Sequence, residues 1–295
     1  MSRPTDLLTF SLVSPASPSP SSSRSPLPPP GTSLVLTDTL ASPAQFALAH
    51  YIQRALRPAL GAPSGHGKGK AREARRMVLV GVREREEFWA AVLKKNGIQL
   101  PAESAAGRFT FVDASSPSVP LSSLYASLCD VVRPSSLSGD SDDETGGALV
   151  LIDDLNALMW RGEPAREVAR WWKAVRAAVD ATHSSLITLL HADSLSPSFP
   201  VQPSSTGYSS SPFEDPEDQY LFRQVLQRSE VWVEVTGLTS GGGAGGIRGE
   251  ITIHRGPALI EGEASGFTLD PAPPLQYKLE DHGAVYEVKG LGRFL

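Results

Sequence analysis

Five short apolar runs, each followed by a stretch with helical spacing, constrain this chain more than any other feature. The runs are Ser33-Leu-Val-Leu-Thr37, Met77-Val-Leu-Val-Gly-Val82, Phe109 to Val112, Ala148-Leu-Val-Leu-Ile152 and Leu186 to Leu190. A strand with one wet face alternates apolar and polar residues, whereas a near-continuous apolar strand is buried on both faces, as in a parallel sheet covered by helices. The segments between the runs supply those helices. Ser42-Pro43 offers an N-cap and a first-turn proline before an apolar face of Phe46, Ala49, Tyr51, Ile52, Ala55 and Leu56. Glu84 to Asn96 has acids in its first turn, Lys94 and Lys95 in its last, and Gly97 to close it. Leu121 to Val132 and Pro164 to Ala181 complete the set.

After Gln224 the rhythm changes. Val231 to Val235, Gly249 to His254, Gln276 to Leu279 and Val285 to Val288 read as strands with short turns, the last two joined by a hairpin over Glu280-Asp-His-Gly283. A mainly parallel central sheet with helices on both faces and C-terminal antiparallel hairpins is the layout of an α/β, RecA-like fold of the phosphate-loop NTPase type. The sequence predicts one such domain over 32–295, after an N-terminal segment 1–31. Ser14 to Gly31 holds seven serines and seven prolines, too little apolar surface to offset its ordering entropy, and reads as a disordered spacer. Low-complexity insertions are expected at about 61–70, 134–147 and 194–216.

Composition removes several function classes. No apolar run approaches the roughly 20 residues that span a bilayer. Leu7 to Val13 is too short and interrupted for a signal peptide. A single cysteine, Cys129, excludes an internal disulfide and a multi-cysteine zinc site, so the cytoplasm is expected, with the nucleus as a second location. The net charge of −5 argues against a uniformly basic nucleic-acid binder. It hides a stretch from His50 to Lys95 with eleven basic and four acidic residues, +7 against −12 elsewhere.

An ATPase of this fold carries a glycine-rich phosphate loop with a lysine directly after its first strand. That position reads Thr37-Asp-Thr-Leu-Ala-Ser-Pro-Ala44, without glycine or lysine, and Asp38 would repel a phosphate. Ala62 to Gly69 is glycine-rich but follows a helix and lacks a closing Ser or Thr; it reads as a linker. Leu149-Val-Leu-Ile-Asp153-Asp154 resembles a Walker B strand, whose first carboxylate orients magnesium in working ATPases. Without the partner loop, a structural role is favoured, with the acids capping the short helix Leu155 to Met159. Neither catalytic residues nor a metal site is expected: the six histidines lack companions at ligand spacing, except His191 with Asp193, and no nucleophile motif is present. Arg166, Arg170 and Lys173 line one side of a helix and suit either solvent or phosphate. The flexible basic groups Lys68, Lys70, Arg72 and Arg248 are the other candidate RNA or partner contacts.

The segments Leu149-Val-Leu-Ile-Asp-Asp-Leu-Asn-Ala-Leu158, Leu186-Ile-Thr-Leu-Leu-His-Ala-Asp193, Trp232 to Gly256 and Gln276 to Gly290 resemble the family of the sixth Elongator subunit, a RecA-like fold without a phosphate loop. The resemblance covers most of the chain from about Leu34 onward. It implies a subunit without its own cofactor or catalysis, joined to Elongator subunits four and five in a hetero-hexameric ring and then to the remaining subunits. That ring binds tRNA, turns over ATP only at ring level, and supports modification of the wobble uridine, U34, whose chemistry another subunit performs. The competing expectation is a recombinase-paralog-like RecA subunit that binds DNA or a recombinase partner.

Overall fold

The computed structural model describes residues 7–12, 23–57, 75–133, 147–193, 216–238, 248–260, 267–269, 273–280 and 283–289. Its centre is a nine-stranded sheet. The apolar runs become β3 (Ser33–Asp38), β4 (Met77–Gly81), β5 (Phe109–Asp113), β6 (Leu149–Ile152) and β7 (Ser185–His191), and β8 (Val231–Gly237) joins them. In the order β8-β3-β7-β6-β4-β5 these six are all parallel. Beyond β8, the strands β9 (Gly249–Arg255), β11 (Leu275–Glu280) and β12 (Gly283–Val288) continue the sheet antiparallel. β8 was expected to open the antiparallel part; it belongs to both, parallel to β3 and antiparallel to β9.

Alternation along each buried strand sorts side chains into two cores. Leu34, Leu36, Met77, Leu79, Leu149, Leu151, Ile187 and Leu189 face one side. There α1 (Gln45–Leu56), α2 (Glu86–Lys95) and α3 (Leu100–Ala105) cover them with Leu48, Ile52, Trp89, Leu93 and Leu100. Val35, Val78, Val80, Val150, Ile152, Leu186 and Leu190 face the other, under α4 (Leu121–Val132), α6 (Ala165–Ala181) and α7 (Pro216–Leu226). Trp172 shows how such a core accepts a polar tip: the ring is fully buried, and Nε1 donates to Thr188 Oγ1 at 2.9 Å. α5 (Asn156–Trp160) follows β6 directly. Among the described residues no helix is long and apolar enough to cross a membrane.

The N-terminal segment departs from expectation. β1 (Phe10–Leu12), β2 (Ser23–Ser25) and β10 (Phe267–Leu269) form a second sheet, and Leu7, Leu8, Phe10 and Leu27 enter the first core. Residues 23–31, read from composition as the end of a disordered spacer, are fixed by packing: Ser185 Oγ donates towards the carbonyls of Pro28 and Pro29. The earlier part of that spacer, 14–22, lies outside the described residues, as do 61–70, 134–146 and 194–215 of the three expected insertions.

Candidate functional site at the carboxyl end of the sheet

In open α/β sheets, ligands bind outside the carboxyl ends of the strands where neighbouring crossovers leave to opposite faces. Here α1 leaves β3 to one face, while the chain after β7 returns through α7 on the other. The same divergence separates β4, followed by α2, from β6, followed by α6. The carboxyl ends of β3, β7, β6 and β4 therefore define the place to look, and they bring together Asp38, His191, Asp153, Asp154 and Arg83.

The loop after β3 is closed upon itself. Asp38 Oδ2 accepts the N–H of Ala44 at 2.7 Å, just where α1 begins. Both carboxylate oxygens of Asp193, beyond the end of β7, accept the N–H of Leu40 at 3.0 and 3.1 Å. A helix N-terminus and the preceding loop amides are what a phosphate occupies in a phosphate-loop protein. In this chain its own carboxylates take that role.

The negative charge is balanced from within. His191 Nδ1 contacts Asp38 Oδ1, and its Nε2 lies 2.9 Å from Asp154 Oδ2. Burial alone would lower the pKa of His191, but hydrogen bonds and attraction from Asp154 and Asp38 outweigh it and push it up to about 10. Burial holds the Asp38 carboxyl above its usual range, a rise that His191 partly offsets. Arg83 Nη1 sits 3.0 Å from the same Nε2 and 3.6 Å from Asp154 Oδ2. The imidazole and the guanidinium converge on one carboxylate, that of Asp154. The backbone N–H of His191 is held by Asn156 Oδ1 at 3.0 Å, and Asn156 in turn donates to Asp218 of α7. Trp160, 56% exposed, stacks on the His191 ring at 5.2 Å.

Asp153 has a structural task, though not the expected one. It does not cap the helix that follows it, because α5 has no side-chain cap. Its Oδ1 accepts the N–H groups of Val82 (2.6 Å) and Arg83 (3.0 Å), and Oδ2 those of Glu84 (3.0 Å) and the Trp89 indole (3.2 Å). The acid thus organises the turn after the neighbouring strand β4. Burial raises its pKa to about 6 against the pull of these donors. Both oxygens of Asp153 are spoken for, and among the described residues no cluster of three or more His, Cys, Asp or Glu could hold a metal ion.

The predicted contact residues divide. Arg166 and Arg170 are exposed on α6, but Arg170 pairs with Glu167 at 2.8 Å. Lys173 is not free: its ammonium donates to Gln224 of α7 at 2.7 Å, so the expected three-residue ridge is two residues long. Arg248 is exposed at the start of β9. Lys68, Lys70 and Arg72 lie outside the described residues. Sequence reading missed the Asp38–His191–Asp154 association. Its only trace was a polar residue ending each of three apolar strands, which does not say that the strands are neighbours.

No family model matches the chain, and no curated protein does. Among solved structures, it is similar to a KaiC-like protein from the hyperthermophilic archaeon Pyrococcus horikoshii, with a TM-score of 0.53 at 12% identity, over 88% of this chain and 90% of that one. At that identity the likeness speaks to architecture alone: the chain has a RecA-like fold.

Proposed function

We propose that the chain is a non-catalytic RecA-like subunit of the Elongator complex, forming with subunits four and five a hetero-hexameric ring that binds tRNA and supports wobble-uridine modification. One observation carries the non-catalytic part: the Asp38 carboxylate bonded to the Ala44 N–H at the start of α1, where a phosphate would bind. Asp193 on Leu40 and His191 between Asp38 and Asp154 complete the substitution. Asp153 and Asp154 then serve the fold, and ATP turnover belongs to the assembled ring. The Elongator part is supported by the resemblance of four segments, which fall on β6–α5, β7, β8–β9 and β11–β12. Arg166, Arg170 and Arg248 are the exposed cations of this reading for tRNA phosphate.

Co-expression with subunits four and five of the same organism, followed by size-exclusion chromatography with light scattering, tests the reading. A single peak with the mass of two copies of each, retaining tRNA, is expected. Elution of this chain alone while the other two pair would overturn it. A preference for single-stranded DNA over tRNA would point to the recombinase-like reading instead.

A further inference from the structure

We propose that the groove between α6 and α7 binds a single strand of RNA, with phosphates on Arg170, Lys173 and Arg228 and a base on Tyr220. The proposal gives the function read above a surface, and it rests on that reading. The two helices pack against each other over the second core. They run in the same direction, because each carries the chain back between parallel strands.

Gln224 of α7 gathers the cations. Its side-chain oxygen accepts the Lys173 ammonium at 2.7 Å, and its carbonyl accepts Arg228 Nη1, from the turn after α7, at 3.3 Å. Two like charges from different helices are thus held at one neutral residue. Neither contact exhausts its donor, since an ammonium has three N–H bonds and a guanidinium five. Burial, then repulsion from Arg228 and Arg170, holds the Lys173 pKa below its ordinary value. Among the described residues no carboxylate forms an ion pair with Lys173 or Arg228, and Glu167 meets Arg170 through Nη1 alone. Like charges placed this close raise the energy of the bare surface. A phosphate chain lowers it by neutralising them and releasing its own counterions.

Tyr220 decides between a nucleic acid and an acidic protein segment. It lies one helical turn before Gln224 on the same face of α7 and is 37% exposed. Cations that follow a backbone beside an open aromatic ring, on which a base stacks, suit single-stranded nucleic acid. An acidic peptide needs the cations and not the ring. The sequence pointed to Arg170 and Lys173 on α6; Arg228 joins them only because α7 packs alongside.

Fluorescence anisotropy of a short labelled oligoribonucleotide, titrated with the full chain at low and moderate salt, tests the groove. Arg228→Gln should weaken binding roughly threefold or more, with an unchanged melting temperature. It should also flatten the slope of log affinity against log salt by about 0.7, the share of one phosphate contact on a single strand. Adding Arg170→Gln should flatten the slope by about twice that. Tyr220→Ala should weaken binding and leave the slope alone, because stacking carries no net charge. Lys95→Gln, an equal charge change on α2 across the sheet, should alter neither. No binding by the unmodified chain, or equal flattening by Lys95→Gln and Arg228→Gln, overturns the groove as the site. Binding that ignores Tyr220→Ala overturns the nucleic-acid occupant in favour of an acidic segment. Tighter binding of the DNA strand of the same sequence, through the same residues, keeps the groove and overturns the Elongator reading instead.

Discussion

The two ends of the parallel strands are both tied together by charged side chains, but with different chemistry. At the amino end the tie is made of arginine. Arg75 donates to the carbonyls of Gly147, Pro28 and Ala148 and to Ser185 Oγ, at 2.7, 2.6, 3.3 and 2.7 Å. Arg176 meets Glu230 Oε1 at 2.7 Å, and Glu230 Oε2 accepts the N–H of Ser33 at 2.7 Å. These guanidiniums stay charged at every accessible pH. At the carboxyl end the cation between Asp38 and Asp154 is a histidine, and the acids around it are buried. That end is able to titrate. The usual ligand-binding end of an α/β sheet has here become a second structural clasp, and its cation can titrate where the guanidiniums of the amino end cannot.

Four substitutions would break or sharpen this contrast. The largest effect is expected at Asp153→Ala, which strands four N–H donors, two of them buried; removing one partner of a buried charged network costs about 3–5 kcal/mol, read as a lower urea midpoint. Next, Arg75→Ala removes the guanidinium that joins Gly147, Pro28, Ala148 and Ser185 and costs about 2–3 kcal/mol. That loss should be the same at pH 6 and pH 10. A loss that shrinks with rising pH would contradict the division between the two ends.

His191→Gln should cost about 1–2 kcal/mol near neutral pH, with a pH signature. The folded-state pKa of His191, about 10, exceeds its ordinary 6.5, so between those values the native state holds a proton that the unfolded chain has released. Stability from this group is complete below about pH 6.5 and declines as pH rises towards 10. The variant should lack that decline, and a parallel decline in both proteins would refute the assignment. The smallest effect is expected on the surface of α6. Arg170→Ala removes one exposed pair with Glu167 and should change stability by no more than about 0.5 kcal/mol, while weakening tRNA retention if that face meets RNA.

Five of the six parallel strands were legible because burial on both faces leaves almost no polar residue in them, as in Leu149–Ile152; β8 alternates buried and half-buried residues and reads as antiparallel. The second sheet was not. β1, β2 and β10 have three residues each, and Ser23–Ser25 is polar and flanked by proline-rich sequence, so tertiary packing alone makes it a strand. α7 was hidden because its first turn, Glu217 and Asp218, reads as the end of an acidic insertion. At the site, the missing phosphate loop and the repulsive Asp38 were visible in the sequence. Their partner was not, since His191 reaches Asp38 only because β7 lies between β3 and β6, an order that local pattern does not encode.

The central claim is that a histidinium, supplied by the chain itself, holds the carboxyl end of the sheet closed. Titration of the imidazole nitrogens by NMR, with His191→Gln used to assign the resonance, tests it most directly. The account predicts that both ring nitrogens of His191 carry protons through pH 8 and that the ring titrates near pH 10. A ring that titrates near its ordinary 6.5, with one bare nitrogen at neutral pH, would contradict it and leave Asp38 and Asp154 to be balanced by something else.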